Sequence, residues 1–368
     1  MHLSDIVTNA YDLFLCIIAF YSLHRLLIIW RFYRYRHLLP QPREYYRDTD
    51  LPTVTVQLPI FNEINVVERL LQTIAQLNYP PHKLEIQVLD DSTDETKLVC
   101  QQQVQQLQSQ VNIHHIHRQE RTGFKAGALE HGLAMAKGEL VAIFDADFVP
   151  SPDTLLKMVH YFSNPRVGMV QARWEHLNRS YSTLTELQAL MLDGHFVAEQ
   201  TSRSRTGCFF NFNGTAGIWR TAAIYDAGGW QHATVTEDLD LSYRAQMKGW
   251  QCVYLPNIQV PAELPMEMNS FKSQQFRWAK GASQVAKLLL PSLLQSDCPA
   301  HIKWEAFFHL TNNFNYLLML LLLVLALPYQ LYVMPYSWQY ALFFYVPVSL
   351  ITSFSLVSFY FIAQRQTD

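Results

Sequence analysis

The sequence has little charge and no excess of basic residues. Charged residues make up 16% of its 368 residues, and the formal net charge is −3. A protein that binds nucleic acid normally carries a basic patch or a recognisable motif, and we find neither. The composition therefore argues against a nucleic acid as the partner.

Cysteines are also few, and their spacing is not that of a metal site. The chain has 5 cysteines, an odd number, and none lies at the close spacing typical of zinc ligands. This usage fits a reducing compartment better than an oxidising one. We therefore expect the middle of the chain to lie in the cytoplasm.

Hydrophobic residues, by contrast, reach 49% and are concentrated at the two ends of the chain. Residues 11–30, 306–328 and 338–362 are each long enough for a membrane-spanning helix, although His24 and Arg25 lie within the first. The first segment has no small-residue cleavage site, which favours a retained anchor over a signal peptide. Positive charge marks the cytoplasmic side, and five arginines follow the first segment: Arg31, Arg34, Arg36, Arg43 and Arg47.

The last two apolar segments are joined by a link without Lys or Arg, so we expect a hairpin that leaves the cytoplasm and returns. Residues 271–294 have amphipathic spacing. They predict either a helix along the membrane surface or a buried helix of the middle domain.

Between the ends, strand and helix patterns alternate from about residue 52 to residue 261. This alternation predicts an α/β fold with a mostly parallel sheet covered on both faces. Ligands bind to such sheets at the carboxyl ends of the strands. No Gly-x-Gly-x-x-Gly follows the first strand, which excludes a dinucleotide-type phosphate loop.

Two acidic pairs stand at the ends of two predicted strands. Asp90 and Asp91 end "EIQVLDD", and Asp145 and Asp147 end "VAIFDAD". Because side chains alternate along a strand, we expect Asp145 and Asp147 to leave it on the same side. Such close carboxylates repel each other unless a positive charge lies between them. A divalent cation shared with ligand phosphates satisfies this need, and a pair of solvated aspartates is the alternative.

An ordered series of motifs over residues 52–281 resembles the processive family-2 glycosyltransferases, most closely the mannan and glucan synthases related to cellulose synthase. Asp-x-Asp alone is weakly specific, whereas the ordered set ending in Gln-x-x-Arg-Trp is highly specific. The resemblance implies a GT-A fold, Rossmann-like with flanking transmembrane helices. The motifs are "VTVQLPIFNE", "VLDDSTDET", "RTGFKAGAL", "FDADF", "FNGTAGIWR", "AGGW", "TEDLDLSYRAQMKGW" and "QQFRW".

The resemblance also implies a nucleotide-diphosphate sugar as the donor. Asp145 and Asp147 would bind Mg²⁺ or Mn²⁺ on the diphosphate. Gln274 and Arg277 would hold the diphosphate, on which charge develops as it leaves. Four residues would contact the nucleoside: Glu63, Asp90, Asp91 and Lys125.

On the acceptor side, Asp238 matches the general base of the family. A sugar hydroxyl is a poor nucleophile, so a carboxylate must accept its proton. One base without a covalent nucleophile predicts inversion at the sugar. Trp278 would stack on the acceptor sugar, and three further residues are candidates beside the acceptor: Glu237, Asn213 and Thr215.

Several of these residues have simpler explanations. Glu237 and Asp238 could merely stabilise a helix N-terminus, and Trp278 could be a membrane-interface aromatic. His114, His115 and His117 alternate along a predicted strand, which could indicate a metal site. For these histidines we expect a structural or solvent role instead.

The sequence therefore predicts an integral membrane enzyme with a cytoplasmic catalytic domain. It would transfer glucose or mannose from a UDP- or GDP-sugar, with inversion, to a growing β-1,4-linked polysaccharide; a glycolipid synthase is the alternative. Processive relatives use more membrane helices than these three, so a channel could require a homo-oligomer. The predicted regions are an anchor (1–31), a basic linker (32–51), the GT-A domain (52–263), the Gln-x-x-Arg-Trp segment with an interfacial helix (264–300), and two transmembrane helices (301–368).

Overall fold

The computed structural model describes residues 3–332 and 338–366, which belong to two compact units. The first, which we call the sheet unit, comprises Leu38–Ala189 and Phe209–Cys298. The second, the helical unit, comprises Met1–His37, Leu190–Cys208 and Pro299–Asp368. Residues 190–208 thus belong to the helical unit although they fall inside the predicted GT-A domain. The sheet unit is therefore discontinuous in sequence, whereas the predicted GT-A domain is one continuous range.

A mixed sheet of seven strands forms the centre of the sheet unit, in the order β3-β2-β1-β4-β6-β5-β7. Neighbouring strands from β3 to β4 are parallel, and so are β5 and β7. Strand β6 is antiparallel to both of its neighbours. The prediction of a mostly parallel sheet is confirmed. The strands are β1 (Val54–Ile60), β2 (Leu84–Asp90), β3 (Ile113–His117), β4 (Leu140–Ile143), β5 (Val167–His176), β6 (Gly217–Arg220) and β7 (Gln251–Ala262).

Strands β1 and β2 are buried on both faces, but the two faces differ in chemistry. Val56 and Leu58 lie in the hydrophobic core, where burial removes apolar surface from water. On the opposite face Thr55 donates a hydrogen bond to Glu85 (2.8 Å), and Gln57 donates one to Gln87 (3.0 Å). These pairs satisfy buried polar groups and link the two strands in register.

The helices of the sheet unit follow the predicted alternation with the strands. Helix α10 is 28 residues long and contains the Gln-x-x-Arg-Trp motif. Its buried residues include Val285, Leu289 and Leu293, whereas Phe276 and Leu288 are exposed. These helices are α2 (Val67–Ala75), α3 (Thr96–Leu107), α4 (Phe124–Met135), α5 (Thr154–Val159), α8 (Thr221–Asp226), α9 (Glu237–Met247) and α10 (Met268–Gln295).

Among its described residues, the helical unit contains three helices that are long and apolar enough to cross a membrane: Ser4–Tyr35, Phe314–Leu331 and Trp338–Gln364. The second begins later than predicted because a separate helix ends at Thr311. The predicted link between the last two segments lies mostly outside the described residues. The helices are α1 (Leu3–Tyr35), α7 (Thr201–Arg205), α11 (Ala300–Thr311), α12 (Phe314–Tyr332), α13 (Trp338–Tyr340) and α14 (Val346–Gln364), with α6 (Thr183–Asp193) entering the unit and π-helical turns at Gly194–Gln200 and Ala341–Tyr345.

Two polar residues of α1 pair with a buried carboxylate of the same unit. Glu305, which is 1% exposed, lies 3.0 Å from His24 Nε2 and accepts a 2.6 Å hydrogen bond from Arg31. Arg203 donates a further one at 3.1 Å. Ionisable side chains near membrane helices are normally paired with one another in this way.

Candidate active site

The Asp-x-Asp motif lies in a turn rather than on a strand. Strand β4 ends at Ile143, and the N–H of Phe148 donates to the carbonyl of Asp145 (3.2 Å). The expectation that strand alternation orients Asp145 and Asp147 is therefore wrong. The turn is fixed instead by the Asp145 N–H, which donates a 2.8 Å hydrogen bond to the hydroxyl of Thr215.

This contact also corrects the prediction for Thr215. Its side chain is fully buried, and its hydroxyl is engaged by the backbone of Asp145. A residue so buried is not exposed to an acceptor sugar, so Thr215 positions the Asp-x-Asp turn instead. The N–H of the nearby Asn213 donates to Gln171 Oε1 (3.0 Å), and its predicted acceptor contact stays a prediction.

Lys125 lies among the carboxylates of the site. Its Nζ is 2.6 Å and 2.8 Å from the two carboxylate oxygens of Asp145, and it donates to the carbonyl of Gly214 at 3.0 Å. Burial acts to lower the pKa of Lys125, but the carboxylates of Asp145, Glu237 and Asp238 outweigh it and raise the pKa. Lys125 therefore stays charged and neutralises part of the cluster.

The carboxylates around Lys125 remain in excess over positive charge. Burial and the charge of Asp145 raise the pKa of Asp147 to about 7. Partial desolvation, with the charges of Asp145 and Asp94, raises the pKa of Glu63. A group of acidic side chains with raised pKa values in one place is typical of a functional site.

Asp238 joins this cluster from the first turn of α9. The backbone of Gly214, at φ +82°, passes between Asp238 and Lys125: a Cβ on Gly214 would lie 3.2 Å from Asp238 Oδ2 and 3.4 Å from Lys125 Nζ. Burial and the neighbouring Glu237 raise the pKa of Asp238, and burial raises that of Glu237. Lys125 therefore interacts both with Asp238, the predicted base, and with Asp145, one of the predicted metal ligands.

Helix α10 packs directly on the loop that precedes Glu237 and Asp238. Gly281 packs so closely on Thr236 that a Cβ there would overlap the threonine side chain. Gln284 accepts a hydrogen bond from the Val235 N–H (2.9 Å). At 3.6 residues per turn, Gln274, Arg277 and Trp278 share the helix face of Gly281. Arg277 is exposed, and Gln274 and Trp278 are half-buried.

The structure corrects the prediction for Asp90. This carboxylate is fully buried. One of its oxygens accepts the Ser92 N–H (2.8 Å), and the other lies 2.9 Å from His115 Nε2 and 3.1 Å from His117 Nδ1. Asp90 is therefore held inside the protein and does not present an oxygen to a nucleoside.

Asp91 is 5% exposed and is held by an arginine that the sequence interpretation did not single out. Arg118 donates to both of its oxygens, at 2.7 Å from Nε and 2.5 Å from Nη2, and also to the carbonyl of Phe124 (3.1 Å). This bidentate pair fixes the loop before Lys125. In the sequence, Arg118 can be recognised as the arginine directly after β3.

A second arginine of this loop, Arg121, forms a flat platform that was not predicted from the sequence. The guanidinium of Arg121 lies 3.3 Å from the ring centroid of Phe61 and 5.3 Å from that of the exposed Phe124. Phe61 directly follows β1, and Asp91 follows β2. Planar groups of this kind are the surfaces on which nucleobases stack.

The loops that carry the site contain unusual backbone conformations. Among the described residues, the non-glycine residues with positive φ are Asn62 (56°), Phe124 (51°) and Ala216 (54°). Asn62 follows β1, Phe124 begins α4, and Ala216 precedes β6. Such strain is kept where the surrounding structure fixes it, and it is common at active sites.

The donor set suits a hard divalent cation. Asp145 and Asp147 provide carboxylate oxygens, and the raised pKa of Asp147 reflects its burial and the negative charge of Asp145 beside it. Mg²⁺ and Mn²⁺ prefer such oxygen ligands together with phosphate oxygens. The residues present therefore fit a metal bound between this turn and a diphosphate.

Comparison with known families gives a match over the whole of this region. The family described as glycosyltransferase like family 2 matches residues 52–281. This range runs from the segment before β1 to Gly281 of α10, so it includes the Asp-x-Asp turn, Lys125, Asp238 and the Gln-x-x-Arg-Trp motif.

Curated relatives include plant enzymes. A probable glucomannan 4-β-mannosyltransferase of Oryza sativa subsp. japonica is 44% identical over 255 residues, covering 67% of this chain and 44% of the relative. A glucomannan 4-β-mannosyltransferase of Arabidopsis thaliana is 42% identical over 254 residues, covering 67% of this chain and 48% of the relative. The chain thus spans about half the length of these relatives.

Solved structures confirm the fold. A mannosyltransferase of Pyrobaculum calidifontis, in complex with GDP-Man and Mn²⁺, has a TM-score of 0.69 at 22% identity and covers 97% of this chain and 98% of its own. TarS of S. aureus with UDP-GlcNAc has a TM-score of 0.52 at 17% identity, covering 71% of this chain and 72% of the other. At these identities the likeness is one of fold.

Proposed function

The chain belongs to glycosyltransferase-like family 2, and on this premise we propose that it transfers mannose from GDP-mannose, with inversion, to a β-1,4-linked glycan. The observation that carries the proposal is the cluster in which Lys125 joins the Asp-x-Asp turn to Asp238 on α9. A donor diphosphate and an acceptor hydroxyl would meet at this cluster.

On the donor side, Asp145 and Asp147 would hold Mg²⁺ or Mn²⁺, which when bound supplies positive charge to the diphosphate. Lys125 compensates Asp145 and lies beside Gly214. Arg277 is exposed on α10 and would donate to the diphosphate oxygens as charge develops on them. Gln274, one turn earlier on the same face, would add a neutral donor.

On the acceptor side, Asp238 would accept the proton of the attacking hydroxyl. Its raised pKa makes it a stronger base than an ordinary aspartate and suits proton transfer near neutral pH. One attack from the face opposite the leaving diphosphate inverts the anomeric carbon, giving a β-linkage from an α-linked donor. Trp278 would offer an aromatic face to the acceptor sugar.

The nucleoside would lie at the ends of β1 and β2. We infer that the base stacks on the platform of Phe61 and Arg121, with the Asp91–Arg118 pair at its polar edge. Guanine presents two acceptors, O6 and N7, to which an arginine can donate. Glu63, in the loop after β1, is placed for the ribose or the phosphates.

Mannose is favoured over glucose by the names of the relatives. The plant relatives at 42–44% identity are named for 4-β-mannosyl transfer to glucomannan, and the fold neighbour was solved with GDP-Man. We propose a β-1,4-linked polysaccharide as the acceptor. Transfer of one sugar to a lipid, the alternative from the sequence, gives a product of a different size.

Three apolar helices support attachment to a membrane. The arginines at the end of α1 favour the cytoplasmic side for the sheet unit, where nucleotide sugars are made. We propose that the sheet unit lies on the cytoplasmic side. Within it, residues 52–189 and 209–263 would bind the donor, and the segment that begins at residue 264 would provide the Gln-x-x-Arg-Trp motif.

The test is a donor screen with the full chain reconstituted in lipid vesicles. GDP-mannose, GDP-glucose, UDP-glucose and UDP-mannose are supplied with Mn²⁺ and a mannan oligosaccharide, and product size and linkage are measured. We expect β-1,4-linked mannose from GDP-mannose, formed at least about 100-fold more slowly by the Asp238→Asn variant. A single solvent-extractable glycolipid would favour the alternative, and turnover only with UDP-sugars would refute the donor assignment.

A further inference from the structure

Two histidines of β3 converge on one carboxylate oxygen of β2. In the parallel register, His117 lies opposite Asp90 and His115 opposite Val88. Because the histidines are two residues apart on a strand, they share a face. His115 Nε2 is 2.9 Å and His117 Nδ1 is 3.1 Å from Asp90 Oδ2. The three atoms all lie within 4.8 Å of one another.

The carboxylate is fixed before any ligand arrives. Asp90 is fully buried, and its other oxygen accepts the Ser92 N–H at 2.8 Å. Its own carbonyl accepts the Arg118 N–H (3.0 Å). The oxygen that faces the histidines therefore has a defined position. The imidazole side chains are 15% and 19% exposed, so this face can be reached from solvent.

The spacing of the three atoms suits a small tetrahedral ion. Ligand atoms about 2.0–2.1 Å from tetrahedral zinc lie roughly 3.3 Å from each other. The distances of 2.9 Å and 3.1 Å between Asp90 and the two imidazole nitrogens are close to this value. The two nitrogens lie within 4.8 Å of each other, so an ion replaces the two hydrogen bonds once the imidazoles move to tetrahedral spacing.

The ligand types separate this cluster from the Asp-x-Asp turn. Two imidazole nitrogens and one carboxylate are typical zinc ligands, whereas magnesium prefers oxygen ligands alone. We propose that Asp90, His115 and His117 form a zinc-binding site, separate from the cation site of the Asp-x-Asp turn. Each imidazole binds through the nitrogen that now faces Asp90, with its remaining proton on the other ring nitrogen. Water takes the fourth position.

The site joins β2 to β3, which lies at the edge of the sheet. Zinc bound only by the folded protein stabilises it by mass action. It would also fix the segment that continues into Asp91 and Arg118. Its role is structural, and its occupancy does not depend on glycosyl transfer.

The test is zinc binding by the full chain in detergent, without donor or acceptor. The protein is stripped with EDTA and dialysed against buffered Zn²⁺ in excess Mg²⁺, and bound zinc is measured by mass spectrometry. We expect one zinc per chain, with the affinity lowered at least about 10–100-fold in His115→Gln and His117→Gln. Glutamine can still donate a hydrogen bond to Asp90, which protects the fold.

His114 provides the matched control, since it lies on the same strand, on the opposite face, and is exposed. His114→Gln, and a variant with both Asp145→Asn and Asp147→Asn, should bind zinc as the unmodified protein does. Zinc should also protect His115 and His117, but not His114, from diethyl pyrocarbonate in the unmodified chain. This measurement needs no variant to fold. Absence of protection, or equal zinc binding by His115→Gln and His117→Gln, would overturn the proposal.

Discussion

Gly281 of α10 packs against Thr236, the residue immediately before Glu237 and Asp238 of α9. No side chain fits between the helix and this loop. Because Arg277 lies one turn before Gly281, this contact sets the separation between the arginine proposed to bind the diphosphate and the proposed base.

Replacing Gly281 by alanine should separate α10 from this loop. We expect kcat to fall by about 100-fold, since small misplacements of catalytic groups are costly. Thr236→Gly removes the three side-chain atoms that the new Cβ would overlap and should restore much of the rate in the double variant. Ser283→Ala, at an exposed position of α10, is the control. An additive loss in the double variant would contradict the contact as the cause.

Asp238→Asn should remove the base and leave the donor bound. We expect kcat to fall by about 10²–10⁴-fold while donor affinity, measured by calorimetry, stays the same. Glu267→Gln is the control, because Glu267 is an exposed carboxylate at the start of another helix. If Asp238 served only the helix N-terminus, Asp238→Asn would instead cost about 0.3–1 kcal/mol of stability with no loss of rate.

Metal binding should depend on pH through Asp147. Its pKa is raised to about 7, so below that pH a proton competes with the cation. The apparent affinity for Mn²⁺ should therefore fall about tenfold per pH unit below 7 and level off above it. In the metal-free protein, the folded state binds a proton at Asp147 more tightly than the unfolded state does. The free energy of unfolding should therefore decrease as pH rises from about 4 to 7. Asp147→Asn should remove that loss, and identical pH curves for the two proteins would argue against the shift.

Arg277→Ala should lower kcat/KM by about 10²–10³-fold, as expected for loss of one donor to a developing negative charge. Arg277→Lys should recover part of this, since it keeps the charge without the two-pronged geometry. The matched control is Lys280→Ala, which removes another exposed cation of α10. Equal losses in both variants would point to a general effect of charge.

Thr215→Val keeps the shape of the side chain but removes the acceptor of the Asp145 N–H. We expect a loss of about 1–3 kcal/mol in the free energy of unfolding and weaker Mn²⁺ binding, with the acceptor KM unchanged. An increase in the acceptor KM alone would restore the acceptor role first assigned to this residue.

Strands β1, β2 and β4 could be predicted because their buried apolar runs are bounded by polar segments with helical spacing. The end of β4 could not, since Phe144 and Ala146 continue the apolar pattern into the turn. The partners of Asp90 and Asp91 were also missed. They come from β3 and the loop after it, and a single sequence does not reveal which distant side chain will occupy a carboxylate.

The membership of residues 190–208 in the helical unit was equally hidden. The alternation of apolar and polar residues in this segment is compatible with packing in either unit. The motifs, in contrast, identified the family correctly, because each contains residues of defined chemistry and their order along the chain is specific.

The discontinuity of the sheet unit has a practical consequence for anyone who tries to make it alone. Deleting the terminal helices as a block would remove the surroundings of residues 190–208, including Glu305 beside Arg203. The segment would then expose Val197 and Ala198, which pack against residues of the terminal helices in the intact chain, and such surfaces promote aggregation. A soluble catalytic fragment should therefore require a short designed bridge from Ala189 to Phe209 in place of this insertion.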